Sequence, residues 1–548
     1  MAFKWLNEDS RLFLSRGYLL EGQTAEERIK DIANVAEKYL RIEGFANKFY
    51  EYMGRGYFSL SSPVWANYGQ ERGLPVSCFG SYIDDDMGSI LYGHAENGML
   101  MKSGGGTSGY FGALRGRGAS IKNNGQSSGA VHFMQMYDTL ASVVSQGSVR
   151  RGFFSAYLPI EHPDAKEFLD IGTEGNPIQG LTHGVTVTTE FLEKVKAGNT
   201  KARKLWAKTL QRRSEIGYPY IFFTDNVNNN KPEVYANKPI YASNMCSEIA
   251  LPSNPDETFT CVLSSINLLH WDEIKETDAI ETLTMFLDTV VTEFINKTEG
   301  KEYYKRANQF AKRHRALGLG VLGWHSYLQS NMLPFEGRDA ARKNQEIAKI
   351  LKEKTYAASI KMAEMFGEPE VLKGYGRRNT TLMAIAPTKS SSTILGQVSQ
   401  SIEPEFSNYY VKDLAKTKMT IKNPYLTKVL QEHGQDTDKV WESIRKADGS
   451  VQHLEFLTEL ERNVFKTFAE INPYTIIDQA SIRQEYIDQA QSINLMIPGD
   501  MPVKELNALY LYAHDMGIKS LYYQYSMSQA QALSRKKVMS EGCASCEG

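Results

Sequence analysis

The sequence predicts an α/β fold, and two observations support this prediction. Short stretches rich in β-branched and aromatic residues, typical of strands, recur along the chain at 181–189, 220–224, 381–387 and 520–526. Longer amphipathic stretches separate them, the clearest at 339–366. Because such segments alternate rather than cluster by type, we expect an α/β architecture.

The first elements of the chain are predicted to be helices. Thr24 and Glu27 form a capping-box pattern ahead of apolar residues at helical spacing, and Gly44 ends this first helix. A second helix is expected at 45–53. We therefore expect residues 1–60 to form a short helical segment and the main body to begin near Ser61.

Composition narrows the possible functions. The chain has 548 residues, 42% of them hydrophobic and 23% charged, which is typical of a folded protein. A net charge of -2 provides no basic field for binding a nucleic-acid polymer. The N-terminus is too charged for a secretory signal, and no apolar run is long enough to span a membrane, so we expect a cytoplasmic protein. Five cysteines in a reducing compartment suggest chemistry rather than a disulfide scaffold.

The segment Asn244-Met-Cys246-Ser-Glu248 is the first candidate site. In an extended segment alternate side chains share a face, so an amide, a thiol and a carboxylate would lie together. The alternative is a solvent-facing edge that carries an incidental cysteine. Cys78 and Cys261, each taken alone, are equally compatible with small buried hydrophobic residues.

Taken together, these fragments are more specific. SNMCSEIALP, followed by TCVLSSINL and preceded by a Ser-Cys pair ahead of a Gly-rich segment, resembles the large, catalytic subunit of class I ribonucleotide reductases over nearly the whole chain. The resemblance implies a ten-stranded α/β barrel, expected at 61–530, that reduces ribonucleoside diphosphates. Many relatives begin with a further domain, the ATP cone; because the catalytic body is expected to start near Ser61, with room before it for only two helices, we expect a form without that domain.

The resemblance also implies catalytic roles. Cys246 matches the cysteine that becomes a thiyl radical, Glu248 the base for the 3′-hydroxyl proton, and Asn244 a residue that holds the sugar. Cys78 and Cys261 match the pair that supplies reducing electrons and ends as a disulfide. Although 183 residues separate them, the fold must then bring their Cα atoms within about 7 Å.

The last two cysteines, Cys543 and Cys546, have two interpretations. They could be half of a zinc site, although the sequence has no second C-x-x-C pair. The resemblance implies instead a mobile tail at 531–548 that reduces the internal disulfide and is itself reduced by thioredoxin or glutaredoxin.

No motif for generating a radical is evident in the sequence. Cysteines and histidines do not cluster at metal-ligand spacing, so no metal site is expected, and the glycyl-radical pattern is missing. Tyr522 and Tyr523 match the class I signature that relays oxidising equivalents from a separate small (beta) subunit, which holds the radical cofactor. The alternative is a strand with core aromatics, which Tyr525 favours. Strict strand alternation would place the two relay rings on opposite faces.

A hydroxyl-rich turn follows the stretch at 381–387. Backbone N–H groups and hydroxyls in such a turn bind anions, although a simple helix cap is the alternative. The turn matches the family's substrate-diphosphate loop, which assigns substrate binding to Thr388, Lys389, Ser390, Ser391 and Ser392, with Ser77 and Asn244 across the substrate.

The Gly-rich region at 102–118 matches the neighbourhood of an allosteric specificity site at a homodimer interface. Asp85 corresponds to a contact with the effector sugar, and Arg115 or Arg117 would face its phosphate. The loop at 172–179 would pass the identity of the effector (ATP, dATP, dTTP or dGTP) to the substrate base. Its length differs from that of well-known relatives.

Two other functions compete with this one. An adenosylcobalamin-dependent reductase would need the same cysteines but neither a tyrosine relay nor a small subunit. A nonenzymatic nucleotide-binding regulator could have kept the fold, and it would not depend on Cys246.

Overall fold

The computed structural model describes residues 3–147, 150–414 and 417–526. Within these residues, the strands of the first half of the chain are β1 (Phe58–Leu60), β2 (Cys78–Tyr82), β3 (Gly106–Tyr110), β4 (Ser120–Ile121), β5 (Gly125–Gln126), β6 (Ser145–Gln146), β7 (Arg150–Arg151), β8 (Phe154–Pro159), β9 (Thr182–Val187) and β10 (Tyr220–Phe223). Those of the second half are β11 (Phe259–Asn267), β12 (Leu317–Leu322), β13 (Tyr409–Leu414), β14 (Thr417–Lys422), β15 (Leu495–Ile497), β16 (Ser520–Leu521) and β17 (Gln524–Ser526).

Helices alternate with these strands. Those before β10 are α1 (Glu8–Leu14), α2 (Ala25–Leu40), α3 (Phe45–Arg55), α4 (Ser62–Asn67), α5 (Met87–Lys102), α6 (Ala130–Val143), α7 (Ala165–Phe168), α8 (Thr189–Lys196) and α9 (Thr200–Ile216). Those after it are α10 (Thr224–Asn229), α11 (Trp271–Ile274), α12 (Ala279–Thr298), α13 (Lys305–His314), α14 (Trp324–Ser330), α15 (Arg338–Phe366), α16 (Lys389–Ile394), α17 (Pro424–Glu432), α18 (Asp438–Lys446), α19 (Glu459–Val464), α20 (Pro473–Gln484) and α21 (Val503–Asp515).

The central sheet consists of two parallel halves. In the first half β2, β3, β8, β9 and β10 pair in parallel in that order. In the second half β11 pairs in parallel with β12, and two parallel bridges continue the half, Leu319 to Met383 and Ile385 to Gln491. β15 and β17 then pair in parallel.

Antiparallel pairs join the two halves at both ends. Cys261 of β11 lies opposite Cys78 of β2, and Leu521 of β16 lies opposite Ile221 of β10. The five strand positions of the second half are β11, β12, the bridged segment at 383–385, the segment at 491–497 and the segment at 520–526. Together with the five parallel strands of the first half they form a ring of ten, which confirms the predicted α/β barrel. The barrel strands are buried along nearly their whole length, because helices cover the sheet from outside.

The N-terminal segment differs from the prediction in one respect: it contains three helices rather than two. The predicted capping box is present, because Thr24 and Glu27 each bond the other's backbone N–H at the start of α2. Helix α1 was missed because it is only seven residues long and lacks a sustained apolar period. The buried Arg28 of α2 donates hydrogen bonds to the carbonyls of Val64, Trp65 and Tyr68, which ties this segment to α4.

None of the helices in the described ranges is long and apolar enough to cross a membrane.

Candidate active site

The segment 241–250 runs through the interior of the barrel. It contains no strand, and most of it is buried. Its backbone carbonyls accept hydrogen bonds from strand segments of both halves: Ser108 Oγ to Ser243 O at 2.9 Å, Tyr157 OH to Asn244 O at 2.7 Å, Ser520 Oγ to Ser247 O at 2.6 Å, and Ala490 N to Glu248 O at 2.9 Å. Polar groups around the whole ring therefore fix this segment in place.

The local conformation of this segment was predicted wrongly. Instead of an extended stretch, the chain turns at 245–247, and Ser247 has a left-handed φ of 65°. Ser247 N donates to Asn244 O at 3.3 Å across the turn, and groups on the surrounding strands bond the flanking carbonyls. It brings Asn244 and Glu248 into direct contact, with Asn244 Nδ2 donating to Glu248 Oε1 at 3.0 Å.

Glu248 is completely buried. Burial raises the pKa of its carboxyl group to about 7, although hydrogen bonds from Asn244 and from Ser492 Oγ (3.2 Å to Oε2) oppose the rise. A carboxyl group that titrates near neutrality is suited to exchanging a proton with a bound substrate.

Cys78 and Cys261 are direct partners on neighbouring antiparallel strands. Directly opposed residues in such a pair have Cα atoms about 4.5–5.5 Å apart, within the range that a disulfide spans. Both are buried thiols, not joined in a disulfide. Cys78 Sγ lies 3.5 Å from Asn244 Nδ2 and 4.0 Å from Glu248 Oε1. The pair therefore adjoins the amide and carboxylate of the interior segment.

Cys261 is the deeper thiol of the pair. Gln489 Nε2 donates to its Sγ at 3.3 Å. Burial raises the pKa of Cys261 well above the usual value for a thiol, so it stays protonated.

Cys246 packs against a different set of buried residues from the other two cysteines. Its side chain belongs to a buried cluster with Tyr157, Tyr220 and Tyr522, whereas Cys78 and Cys261 belong to a separate cluster. The Ser492 hydroxyl donates to the Cys246 carbonyl. One thiol thus adjoins tyrosines, and two thiols adjoin the carboxylate.

Tyr522 and Tyr523 are in ring contact, with centroids 4.3 Å apart and an interplanar angle of 58°. The expectation of opposite faces was wrong, because the strand is interrupted at these two residues, between β16 and β17. Arg213 Nη1 holds the break by donating to the Tyr522 carbonyl at 2.8 Å. The Tyr220 ring lies 4.9 Å from Tyr522 and 5.3 Å from Tyr523.

The hydroxyl-rich turn forms the start of α16, as predicted, and its hydroxyl residues are buried. Thr388 Oγ1 accepts from Ser401 N at 2.7 Å and lies 3.1 Å from Ser392 Oγ. Ser391 Oγ donates to Leu60 O at 3.4 Å, which places the turn beside the start of α4. Thr388 does not cap α16 with its side chain. Ser77, the other predicted contact, is buried beside Cys78.

The predicted effector residues form two ion pairs. Arg115 Nε bonds Asp85 Oδ2 at 2.8 Å, and Arg117 Nη2 bonds Glu167 Oε1 at 2.6 Å. The loop at 172–179 is held by its own contacts, among them Gly172 N to Ile178 O at 3.0 Å. The structure thus brings Asp85 and Arg115 together and gives Arg117 a separate partner.

Sequence reasoning missed several residues of the site. Gln489 and Ser492 lie more than 200 residues from the cysteines that they contact, and no local pattern connects them. Tyr220 lies in a predicted strand, where an aromatic residue among apolar neighbours is ordinary, so no signal in the sequence marked it. Cys543 and Cys546 lie outside the described residues.

Two buried thiols opposed across neighbouring strands beside a carboxylate, together with a third buried thiol beside paired tyrosines, are typical of a thiol-dependent oxidoreductase, here built on an α/β barrel. Comparison with known proteins identifies one family over most of the chain. The family model "Ribonucleotide reductase, barrel domain" matches residues 76–201, 196–371 and 369–524.

Individual relatives agree with the family match. The putative ribonucleoside-diphosphate reductase large subunit of Frog virus 3 (isolate Goorha) is 34% identical over 94% of each chain. The ribonucleoside-diphosphate reductase subunit alpha of Chlamydia pneumoniae is 28% identical over 88% of this chain and 55% of its own. The solved alpha subunit of Actinobacillus ureae class Id ribonucleotide reductase superposes with a TM-score of 0.92 at 58% identity, covering 96% of this chain and 98% of that one.

The chain belongs to the ribonucleotide reductase large-subunit family, in its class I form. It is therefore an oxidoreductase of deoxyribonucleotide synthesis, as the sequence predicted, and the class I likeness favours this assignment over the cobalamin-dependent alternative.

Proposed function

We propose that this chain is the catalytic subunit that reduces ribonucleoside diphosphates to 2′-deoxyribonucleoside diphosphates, with its radical supplied by a separate small subunit. The observation that supports this most strongly is the register pairing of Cys78 with Cys261 beside the Asn244–Glu248 contact. Two electrons and one carboxylate base are thereby available at the same buried point.

The reaction begins at Cys246. A thiyl radical on its sulfur takes the 3′ hydrogen atom of the ribose, which leaves a carbon radical on the sugar. Glu248 accepts the 3′-hydroxyl proton, and Asn244 holds that hydroxyl by hydrogen bonding. The contact of 3.0 Å between Asn244 and Glu248 supports this division of roles, because one hydroxyl can reach both side chains.

The reduction uses the cysteine pair. One thiol of the pair gives its proton to the departing 2′-hydroxyl, which leaves as water, and the other thiol gives a hydrogen atom to the 2′ carbon. As the S–S bond forms, the remaining electron passes to the 3′ carbonyl, and Glu248 returns its proton there to restore the 3′-hydroxyl. Cys246 then returns a hydrogen atom to the 3′ carbon, which restores the thiyl radical. A disulfide between these opposed strands requires little backbone movement.

A second dithiol must reduce this disulfide after each turnover. We assign that role to Cys543 and Cys546 in the segment 531–548, with thioredoxin or glutaredoxin as their reductant. Cys78 is 6% exposed and Cys261 is fully buried, so exchange is expected to begin at Cys78.

The substrate diphosphate is assigned to the start of α16. Its buried hydroxyl residues and backbone N–H groups offer hydrogen-bond donors, and Lys389 supplies a positive charge. Ser77 lies on the opposite side, next to Cys78. A diphosphate bound here would anchor the nucleotide while its ribose reaches the interior segment.

Effector binding and dimerisation are assigned to the region around α5. Asp85 and Arg115 stand next to this helix, and they would bind the sugar and phosphate of ATP, dATP, dTTP or dGTP. Met87 and Leu91 on α5 and Val143 at the end of α6 are 55%, 51% and 75% exposed. Exposed apolar side chains on adjoining helices are typical of an interface, here with a second copy of the chain.

Reduction of CDP with dithiothreitol, with and without the cognate small subunit, tests the proposal. We expect deoxycytidine diphosphate only when both subunits are present. Turnover by this chain alone, or with adenosylcobalamin in place of the small subunit, would contradict the class I assignment.

A Cys246→Ser variant tests the radical role. Serine is close to cysteine in size, so we expect the fold and nucleotide binding to persist while CDP reduction is lost. Unchanged biological function in this variant would instead support a nonenzymatic regulator.

A further inference from the structure

Tyr525 is a third tyrosine next to the relay pair. Resting on the proposed function, we propose that Tyr525 is the outermost redox-active tyrosine of this chain, and that Glu403 accepts its proton when it is oxidised. The small subunit's oxidant would then act first on Tyr525, and the hole would pass through Tyr523 and Tyr522 to Cys246.

The aromatic rings form a continuous series. Tyr525 stacks on Tyr523 with centroids 6.2 Å apart and an interplanar angle of 28°, and Tyr523 contacts Tyr522 at 4.3 Å. Tyr522 is only 4% exposed, whereas Tyr523 and Tyr525 are half-buried. The series therefore runs from the buried thiol cluster of Cys246 to two half-buried rings, of which Tyr525 is the farther along the series.

Glu403 is held close to this series. It is buried, and Asn494 Nδ2 donates to its Oε1 at 2.6 Å. The Oδ1 atom of the same asparagine accepts from the backbone N–H of Tyr523 at 3.0 Å. One side chain thus links the carboxyl group to the tyrosine segment.

The electrostatics agree with a proton partner at this position. Burial raises the pKa of Glu403 to about 7, so the group exchanges protons near neutrality. Burial raises the pKa of Tyr525 as well, and the nearby Glu403 charge adds to that rise. A phenol that resists ionisation must lose its proton together with its electron, which requires an acceptor within reach.

The proposed steps conserve atoms and electrons. The one-electron oxidant of the small subunit takes an electron from Tyr525, whose O–H bond breaks as Glu403 accepts the proton. Tyr523 then gives an electron to the Tyr525 radical. The O–H bond of Tyr525 re-forms with the proton on Glu403, and the proton released by Tyr523 replaces it there.

Trapping is the direct test. In the full chain with its small subunit, CDP and an effector, Tyr525 is replaced by 3-aminotyrosine, which is more easily oxidised. We expect an aminotyrosyl radical by electron paramagnetic resonance, together with loss of CDP reduction. A radical trapped at position 523 but not at 525 would overturn the proposal and leave the proposed function intact. Failure at both positions would overturn the proposed function as well.

Two conservative variants separate a redox role from packing. Tyr525→Phe keeps the ring contacts with Tyr523 and Phe406 (5.4 Å) but has no phenol to oxidise. We expect its kcat to fall by about 10²-fold or more, the usual size of a lost proton-transfer group, with KM for CDP unchanged. Glu403→Gln should slow radical formation at position 525.

Tyr512→Phe is the matched control, since the Tyr512 phenol also bonds a carboxylate, Asp478 Oδ1 at 2.5 Å, but on α21 away from the series. It should leave activity unchanged. Full activity in Tyr525→Phe would mean that the residue only packs.

Discussion

At the residue scale, burial adapts the carboxyl group of Glu248 to the role proposed for it. To act as the proposed base it must be ionised, and its pKa of about 7 means that it is largely protonated in mildly acidic solution. We expect kcat/KM for CDP to increase about tenfold per pH unit below pH 7 and to level off above it, because kcat/KM reports groups of the free enzyme. A pH profile measured at saturating small subunit checks this.

The Glu248→Gln variant is the companion to that profile. It keeps the shape and the contacts of the side chain, so we expect activity to fall by roughly 10²–10⁴-fold and the rising limb to disappear. An unaltered rising limb in the pH profile of the variant would assign the titration to another group.

The same raised pKa of Glu248 affects stability. Between pH 4.5 and 7 the folded protein holds a proton that the unfolded chain has lost, so this group's contribution to the free energy of unfolding decreases as pH rises through that window.

At the scale of elements, the β2–β11 pairing sets the position of the thiol pair. Gly80 lies opposite Phe259, and a Cβ at Gly80 would come within 2.1 Å of that ring. We expect Gly80→Ala to lower the free energy of unfolding by about 1–3 kcal/mol and to slow disulfide formation between Cys78 and Cys261 under mild oxidation. Gly88→Ala in α5 is the control: its Cβ would meet only the side-chain oxygen of Asp86, at 3.0 Å, so we expect a much smaller loss of stability than for Gly80→Ala. If both variants lost free thiols at the same rate under mild oxidation, the β2–β11 pairing would not control disulfide formation between Cys78 and Cys261.

The interruption between β16 and β17 is the second element-scale feature. Buried Arg213 donates to Tyr510 OH and Pro219 O at 2.6 Å and to Tyr522 O at 2.8 Å. Because each acceptor left unbonded costs about 1–3 kcal/mol, Arg213→Met should lower the free energy of unfolding by roughly 3 kcal/mol and displace the tyrosine pair. Denaturant titration and CDP turnover measure the two effects.

Lys204→Met, an exposed change on the same helix, should change stability by less than about 0.5 kcal/mol. If the two variants behaved alike, Arg213 would not be the anchor of the tyrosine segment.

The sequence predicted those elements that have a local pattern and missed those that depend on distant parts of the chain. The long helix at 339–366 was predicted to within one residue, because its apolar period is sustained over many turns. The stretch at 381–387 contributes only two bridged residues, and the stretch at 520–526 is broken, since their pairing depends on distant strands. The cysteines were recognisable by residue type and order. The turn at Ser247 and the partners Gln489 and Ser492 were not, because they depend on the closed barrel.

At the scale of the whole molecule, the exposed face of α5 is expected to govern assembly. Leu91→Glu places a charge at the centre of the proposed interface, so we expect the dimer to dissociate at concentrations where the unaltered protein is dimeric, and effector control of substrate choice to weaken. Sedimentation with and without dTTP measures this. Leu460→Glu is the matched control, since Leu460 is also 51% exposed but lies on α19. A dimer that survives Leu91→Glu would place the interface elsewhere.

The closed ring also constrains how the protein is made in the cell. β10 finds its partner β16 some 300 residues later in the chain, and synthesis at about 5–20 residues per second separates the two by roughly 15–60 s. During that interval the nascent chain holds Cys246 and half of a barrel, with the unpaired edge of β10 accessible to other strands. Assembly of the proposed active site is thus postponed until the last barrel strand has left the ribosome, and chaperones are expected to engage the chain before that point.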